Sequence, residues 1–415
     1  MDISASKPLS QACGSRISKA EVIRFADCIS IELSNIDLHH DQQGTPRSVS
    51  CFLPSARGVV ELIAHDGSTI LLAAAGNIRS FVAQRFGEDQ EHGTKANLAP
   101  ITAKIIAYPT GSGFESDFIV LERSRIALAE QYAKLNEQNR RAMLVLDPSS
   151  GTWRVAETLI FDLGVDERVV GPILTSKAAR SLGEALDDVF ELCRYPKELA
   201  SAPNGCPCAY KEMGRCPGAC DGSEPMDAYR QRFTHAIEAA SNGLAKWSEQ
   251  LNAEIEQASA ATEFEWAQRS KRALDTVGRL PGDALGHCRA MEHFAAVCVT
   301  PSVRKGWAMV WFFGASGLIP LASTNDNAEG VEAMVDRWFA CAHSEPIDFD
   351  RVWLDRFAFL TRHLFTKPAR ARRRRVTIMD LRDSCWRRMI KQAISAASTP
   401  VELGHDDEEQ THIRG

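Results

Sequence analysis

Apolar and polar positions along this chain change rhythm several times, and each rhythm predicts an element. RGVVELIAHDGSTILLAAAG (57–76) carries two apolar runs around His65-Asp66-Gly67, which predicts two strands joined by a hairpin turn. NIRSFVAQRFG then keeps helical spacing, with Asn77 as N-cap and Gly87 just past the end. After a further strand, DFIVLERSRIALAEQYAKLN predicts one long amphipathic helix. AMLVLDPSSGTWRVAETLIF (142–161) predicts a second hairpin, and SKAARSLGEALDDVFELC a helix that runs into Cys193. From Asp227 to about Val277 the pattern is helical, and its second half, from Gly243, predicts an antiparallel helical hairpin. From Phe294 to about Leu354 the segments AAVCV, WAMVWFF and LIPLA return to an α/β pattern, followed by a periodic helix from Gly330. Residues 1–50 carry no strong motif.

Composition narrows this little. The chain has 415 residues, 44% hydrophobic and 25% charged, enough for two or three ordinary globular domains. The N-terminus has no apolar stretch of the secretory kind. The longest apolar run, from Ala308, is broken by Gly314, Ser316, Gly317 and Pro320, and reads as two core strands rather than a membrane span. A cytoplasmic protein with no membrane partner is expected.

Charge and cysteine change the picture more. The net charge is −6, yet Arg362 to Arg388 holds ten basic residues against Asp380 and Asp383, and ELGHDDEEQ near the C-terminus is acidic. KPARARRRRV makes Arg370, Arg372, Arg373, Arg374 and Arg375 candidates for DNA phosphate contacts. A solvated linker complemented by the acidic tail is the alternative. Of twelve cysteines, seven are scattered among apolar neighbours and read as small buried side chains. Cys193, Cys206, Cys208, Cys216 and Cys220 are clustered. A reducing compartment argues against disulfides, leaving a metal or cluster ligand set or a chance density of thiols.

The order of these segments resembles the bacterial UvrC excinuclease family, the dual-incision nucleases of nucleotide excision repair. The most specific block is 165–235. CPCAYKEMGRCPGAC, with seven residues between Cys208 and Cys216, three between Cys216 and Cys220, and Gly214-Arg215 in place, is similar to the family's cysteine motif. Cys193 stands where the family has its first ligand, Gly171-Pro172 match the lead-in, and Tyr229 the helix that follows. The resemblance implies a 4Fe–4S cluster on Cys193, Cys208, Cys216 and Cys220, with Cys206 as a possible substitute. Zinc is the alternative metal, although the paired spacing of a zinc knuckle is missing. TEFEWAQRSKRAL resembles the UVR motif through Phe264, Ala267 and Arg269, with Thr262 in place of a leucine, and implies a UvrB-like helicase as partner.

By the same resemblance residues 51–140 correspond to a GIY-YIG nuclease, and here the sequence departs. Val60 and Leu71 replace the two tyrosines, Ala73 a glycine, Ala74 a lysine and Phe81 an arginine. Asn77 and Arg79 remain, Glu122 matches the metal ligand and Asn136 is a displaced partner. One-metal phosphodiester hydrolysis needs a carboxylate for the ion, a group to orient or deprotonate water, and cations for the phosphate. Val, Leu, Ala and Phe supply none of these, so no divalent metal is expected at Glu122. The segment after the hairpin resembles the start of the family's second half only loosely.

The resulting expectation is an α+β multidomain protein: an extension (1–50), a degenerate GIY-YIG-like α/β domain (51–140), a hairpin, helix and cysteine-rich cluster module (141–235), a UVR-like helical hairpin (236–282), a small α/β segment (283–360), and a basic segment with acidic tail (361–415). Function is expected to be that of a non-catalytic or accessory DNA- and partner-binding factor of nucleotide excision repair. Two alternatives stand beside it: a divergent endonuclease built on Glu115, Asp117, Glu122, His92 and Tyr108, and an iron–sulfur redox-responsive DNA-binding regulator.

Overall fold

A computed structural model describes residues 28–35, 48–87, 96–158, 162–164, 166–325, 328–344, 347–366 and 375–399. In chain order the strands and α-helices are β1 (Ile29–Glu32), β2 (Gly58–Ala64), β3 (Thr69–Ala75), α1 (Ile78–Arg85), β4 (Thr102–Pro109), α2 (Gly113–Ala127) and α3 (Ala129–Asn136). Next come β5 (Ala142–Asp147), β6 (Thr152–Glu157), β7 (Arg168–Ile173), α4 (Ser176–Val189), α5 (Pro196–Ala200), α6 (Ala209–Glu212), α7 (Met226–Asn242), α8 (Leu244–Ala260), α9 (Phe264–Gly278) and α10 (Gly282–Leu285). The rest are β8 (Arg289–Ala290), β9 (Ala296–Pro301), β10 (Ala308–Gly314), β11 (Gly317–Thr324), α11 (Ala328–Ser344), α12 (Arg351–Leu364), β12 (Thr377–Asp380) and α13 (Trp386–Ser398).

Contacts divide the chain into two compact units, 1–138 with 295–346 and 366–415, and 139–294 with 347–365. The first holds two antiparallel sheets, ordered β1-β4-β2-β3 and β11-β10-β9-β12. Successive residues of β2 point to opposite faces, so Val60 and Leu62 pack toward α1 while Val59 meets Leu72, Tyr108 and Ile119 on the α2 side. Helix α2 also carries Phe114 and Phe118 edge-on against Trp311 of β10, at 6.0 and 5.8 Å between ring centres. Residues 51–138 and 295–346, expected in separate domains, therefore fall in one compact unit.

The second unit holds the sheet β6-β5-β7-β8, covered by α4, α7, α8 and α9 through one apolar cluster that includes Leu144, Leu182, Tyr229, Phe233, Trp247 and Leu285. Helix α12 joins it by Phe357, edge-on to Phe294 at 5.1 Å.

Three expectations change. The long helix predicted over 117–136 starts earlier and breaks at Leu128 (φ −132°), whose buried side chain turns into the cluster with Val59 and Ile119. The helix predicted to reach Cys193 ends at Val189. Arg232 donates from Nε to Phe190 O at 3.0 Å and from Nη2 to Glu191 O at 3.2 Å, closing its C-terminus, and Glu191 takes a left-handed φ of 50°. The expected 361–415 tail contains β12 and α13: Thr377 pairs with Val299, and Trp386, Ile390 and Ile394 are buried against the β9–β11 strands. No helix among the described residues is long and apolar enough to cross a membrane.

Candidate functional site

The cysteine-rich stretch is held by contacts made far away in sequence. Tyr229 of α7 is fully buried; its hydroxyl donates to Gly151 O at 2.8 Å and accepts Cys193 N–H at 3.3 Å. Gly151 has φ +68° and lies so close that a Cβ would stand 2.5 Å from the Tyr229 ring. One phenol thus fixes the β5–β6 turn and the first cysteine together. Gly205 N–H donates to Cys220 O at 2.8 Å, and a side chain at 205 would strike Glu198 O at 2.7 Å. Lys211, at the end of α6, pairs with Asp221 and Ser223 and ties the loop's two limbs.

Within this frame Cys193, Cys216 and Cys220 are buried, Cys208 is half-buried and Cys206 exposed. Burial pushes the Cys193 thiol up to about 11, and the charges of Cys216, Cys220 and Cys208 add to the rise. Cys220 is raised by burial, then by Asp221, Cys216 and Cys208. Cys193 thus lies near enough to Cys208, Cys216 and Cys220 for their charges to act on its thiol, whereas Cys206 is exposed. It offers its carbonyl to the Cys220 thiol at 3.7 Å instead. Four thiols whose negative charges would repel are the donor chemistry that a thiophilic cation or iron–sulfur cluster relieves. Among the described residues no three His, Cys, Asp or Glu side chains already stand in a coordinating arrangement. The residues fit such a group as a convergence of donors rather than as a formed coordination shell.

The nuclease-like positions are filled differently. Val60, Leu71, Ala73 and Phe81 are each buried in one apolar cluster between β2, β3 and α1. Asn77 caps α1, accepting from Ser80 N–H at 3.2 Å, and Arg79 donates from Nε to Leu53 O at 2.9 Å. Glu122 is buried and pairs with Arg125 at 2.6 Å; Asn136 is buried, its amide 3.5 Å from the Tyr132 hydroxyl. Glu115 accepts Gly111 N–H at 2.8 Å, and burial pushes its carboxyl up to about 7. Asp117 is half-buried on α2. Tyr108 donates to Glu61 at 3.3 Å, and burial, then the Glu61 charge, raise its phenol to about 12. Glu115, Glu122 and Tyr108 are thus held by different partners, while His92 lies outside the described residues. Sequence reasoning missed the cluster that does form here, Glu61 with Arg123, Tyr108 and Thr69. A lone glutamate inside the apolar strand GVVELIA was the available signal.

On α9, Phe264 is 71% and Trp266 53% exposed, near the tip of the α8–α9 hairpin where Thr262 takes φ 59°. Ala267 is half-buried, and Arg269 pairs with Glu191. Arg370, Arg372, Arg373 and Arg374 lie outside the described residues. Arg375 lies within them, half-buried, with Nη2 3.4 Å from Thr399 O.

Comparison with known proteins bears on this module directly. The family profile described as UvrC/Cho excinuclease, middle domain, matches residues 152–239, which include all five clustered cysteines and Tyr229. The chain is similar to the UvrABC system protein C of Xanthomonas campestris pv. campestris (strain B100), 24% identical over 304 residues, covering 71% of this chain and 48% of that protein. The namesake of Xanthomonas euvesicatoria pv. vesicatoria (strain 85-10) is 23% identical over 319 residues, covering 74% and 50%. The chain spans about half the length of the curated relatives it matches. No solved structure matches it significantly. The chain is related to the UvrC family, most specifically through its middle segment.

Proposed function

We infer that this chain acts in DNA repair as an accessory relative of UvrC, binding DNA and a protein partner without cleaving DNA at the GIY-YIG-like positions. The observation that carries the reading is a contrast. The cysteine module keeps its four thiols close enough to feel one another's charge, while the positions that would carry hydrolysis form an apolar cluster. Val60, Leu71, Ala73 and Phe81 can neither move a proton nor neutralise a phosphate. Glu122, tied to Arg125 in a buried pair, accounts for itself as a packing element.

In this reading Cys193, Cys208, Cys216 and Cys220 hold a 4Fe–4S cluster or zinc, which braces the loop between α4 and α7. The α8–α9 hairpin, with Phe264 and Trp266 exposed, meets a UvrB-like partner. The basic segment ending at Arg375 contacts DNA. The test is a nicking assay on damaged and branched DNA with magnesium or manganese. Binding without incision is expected; incision that disappears in Glu122→Ala would overturn the reading.

A further inference from the structure

At one end of the first unit, strand ends and a turn gather four cations. Arg57 immediately precedes β2, and its carbonyl accepts Thr110 N–H at 2.9 Å, at the exit of β4. The next residue, Gly111, is pressed against β9: a Cβ there would stand 2.1 Å from Pro301 O. β12 runs antiparallel to β9 with Thr377 opposite Val299, so Arg375, two residues before Thr377, lies at the β9 end that carries Pro301. Beyond Pro301 the β9–β10 turn presents Arg304 and Lys305, both exposed, with Arg304 stacked on Trp307 at 3.9 Å.

None of these four cations has a carboxylate partner among the described residues. Arg57 and Arg375 are both half-buried, and burial, then the Arg57 charge, hold the Arg375 guanidinium below its usual value. Glu115, which bonds Gly111, is held up to about 7 and contributes less than a full negative charge at neutral pH. Two neighbouring guanidinia in partly desolvated surroundings repel each other, and a bound anion would offset that repulsion. Arginine's planar fork suits phosphate oxygens, and an exposed turn with two more cations extends the same field outward.

We propose that Arg57, Arg304, Lys305 and Arg375 form a site for the phosphates of a DNA backbone, at the end of the first unit where β2, the β9–β10 turn and β12 meet. The site rests on the proposed repair role only for the source of its phosphates. It extends DNA binding from the basic segment onto the folded sheets.

The test uses the full chain and two double variants, Arg57→Gln/Arg375→Gln and Arg304→Gln/Lys305→Gln. Binding of a fluorescent duplex is followed by anisotropy through a salt series. Each double variant is expected to bind about tenfold more weakly at low salt, with a plot of log K against log salt shallower by about one for each phosphate no longer neutralised. Unchanged affinity and slope in both variants would overturn the site. Thermal unfolding with inorganic phosphate separates the two readings. A wild-type chain that ignores DNA, yet gains stability from phosphate in a way the variants lose, overturns the repair reading and DNA as the ligand, and retains a small-anion site.

Discussion

Arg123 of α2 grips Glu61 of β2 with two hydrogen bonds, Nε to Oε2 at 3.0 Å and Nη2 to Oε1 at 3.1 Å. The Tyr108 hydroxyl donates to Oε2 at 3.3 Å and Thr69 Oγ1 to Oε1 at 3.1 Å, so each carboxylate oxygen accepts two donors. Glu61 is 1% exposed, whereas the Arg123 side chain keeps 28%. The cluster is a closed structural tie between sheet and helix with no acceptor left for a metal ion. Removing one partner of a buried pair strands the other's charge, whereas an apolar pair of similar volume leaves none stranded. Arg123→Met is therefore expected to cost about 3 kcal/mol. Glu61→Leu with Arg123→Leu should cost less than that single change. Urea unfolding midpoints check both, and a harmless Arg123→Met would refute the tie.

Asp187 gives a pH signature in the second unit. Burial pushes its carboxyl up to about 7 although it accepts the Trp153 indole N–H at 2.8 Å. The folded state thus binds the proton more tightly than the unfolded chain. The stability this contributes is complete below about pH 4 and is lost as pH rises through about 7. Asp187→Asn keeps an acceptor for the indole and removes the titration. The variant should gain on wild type between pH 5 and pH 8, read as a widening gap in denaturant midpoint. A gap that stays constant would refute this.

Tyr229 joins Gly151 to Cys193 through one hydroxyl. Tyr229→Phe keeps the packing but leaves two buried backbone groups without that partner, a loss of about 1–3 kcal/mol. Metal content should fall along with stability, because Cys193 loses its positional tether. A variant that unfolds earlier but binds metal in full would confine Tyr229 to a packing role.

Alanine at Cys193, Cys208, Cys216 or Cys220 should abolish bound metal in anaerobically purified protein, while Cys206→Ala should retain it. Metal analysis and visible absorption read the outcome, about four irons per chain for a 4Fe–4S cluster or one zinc with no colour. Metal loss in Cys206→Ala alone would reassign the ligand set.

Much of the local structure was legible because its causes are local. The 58–75 hairpin follows from two apolar runs around Asp66-Gly67, and Gly67 takes φ +85° as such a turn needs. Asn77 caps α1 with its own side chain, and the α8–α9 hairpin follows from helical spacing on either side of its tip. The density of cysteine at 193–220 was legible in the sequence, and the structure buries Cys193, Cys216 and Cys220 while leaving Cys206, the possible substitute, exposed.

What escaped the sequence depends on partners distant along it. The break at Leu128 answers to Val59 and Ile119, and the Arg123 side chain finds Glu61 across 62 positions. β12 and α13 follow a run of arginines that reads as a tail, and they gain order from β9, nearly eighty residues earlier. Sequence alone located the 58–75 hairpin, the cap of α1 and the α8–α9 hairpin, since backbone preference and periodicity act within a few residues. Tertiary structure decided that Val60, Leu71, Ala73 and Phe81 share one apolar core. It also brought Arg375 within range of the Arg57 charge, because burial and like-charge proximity arise only when separate segments fold together.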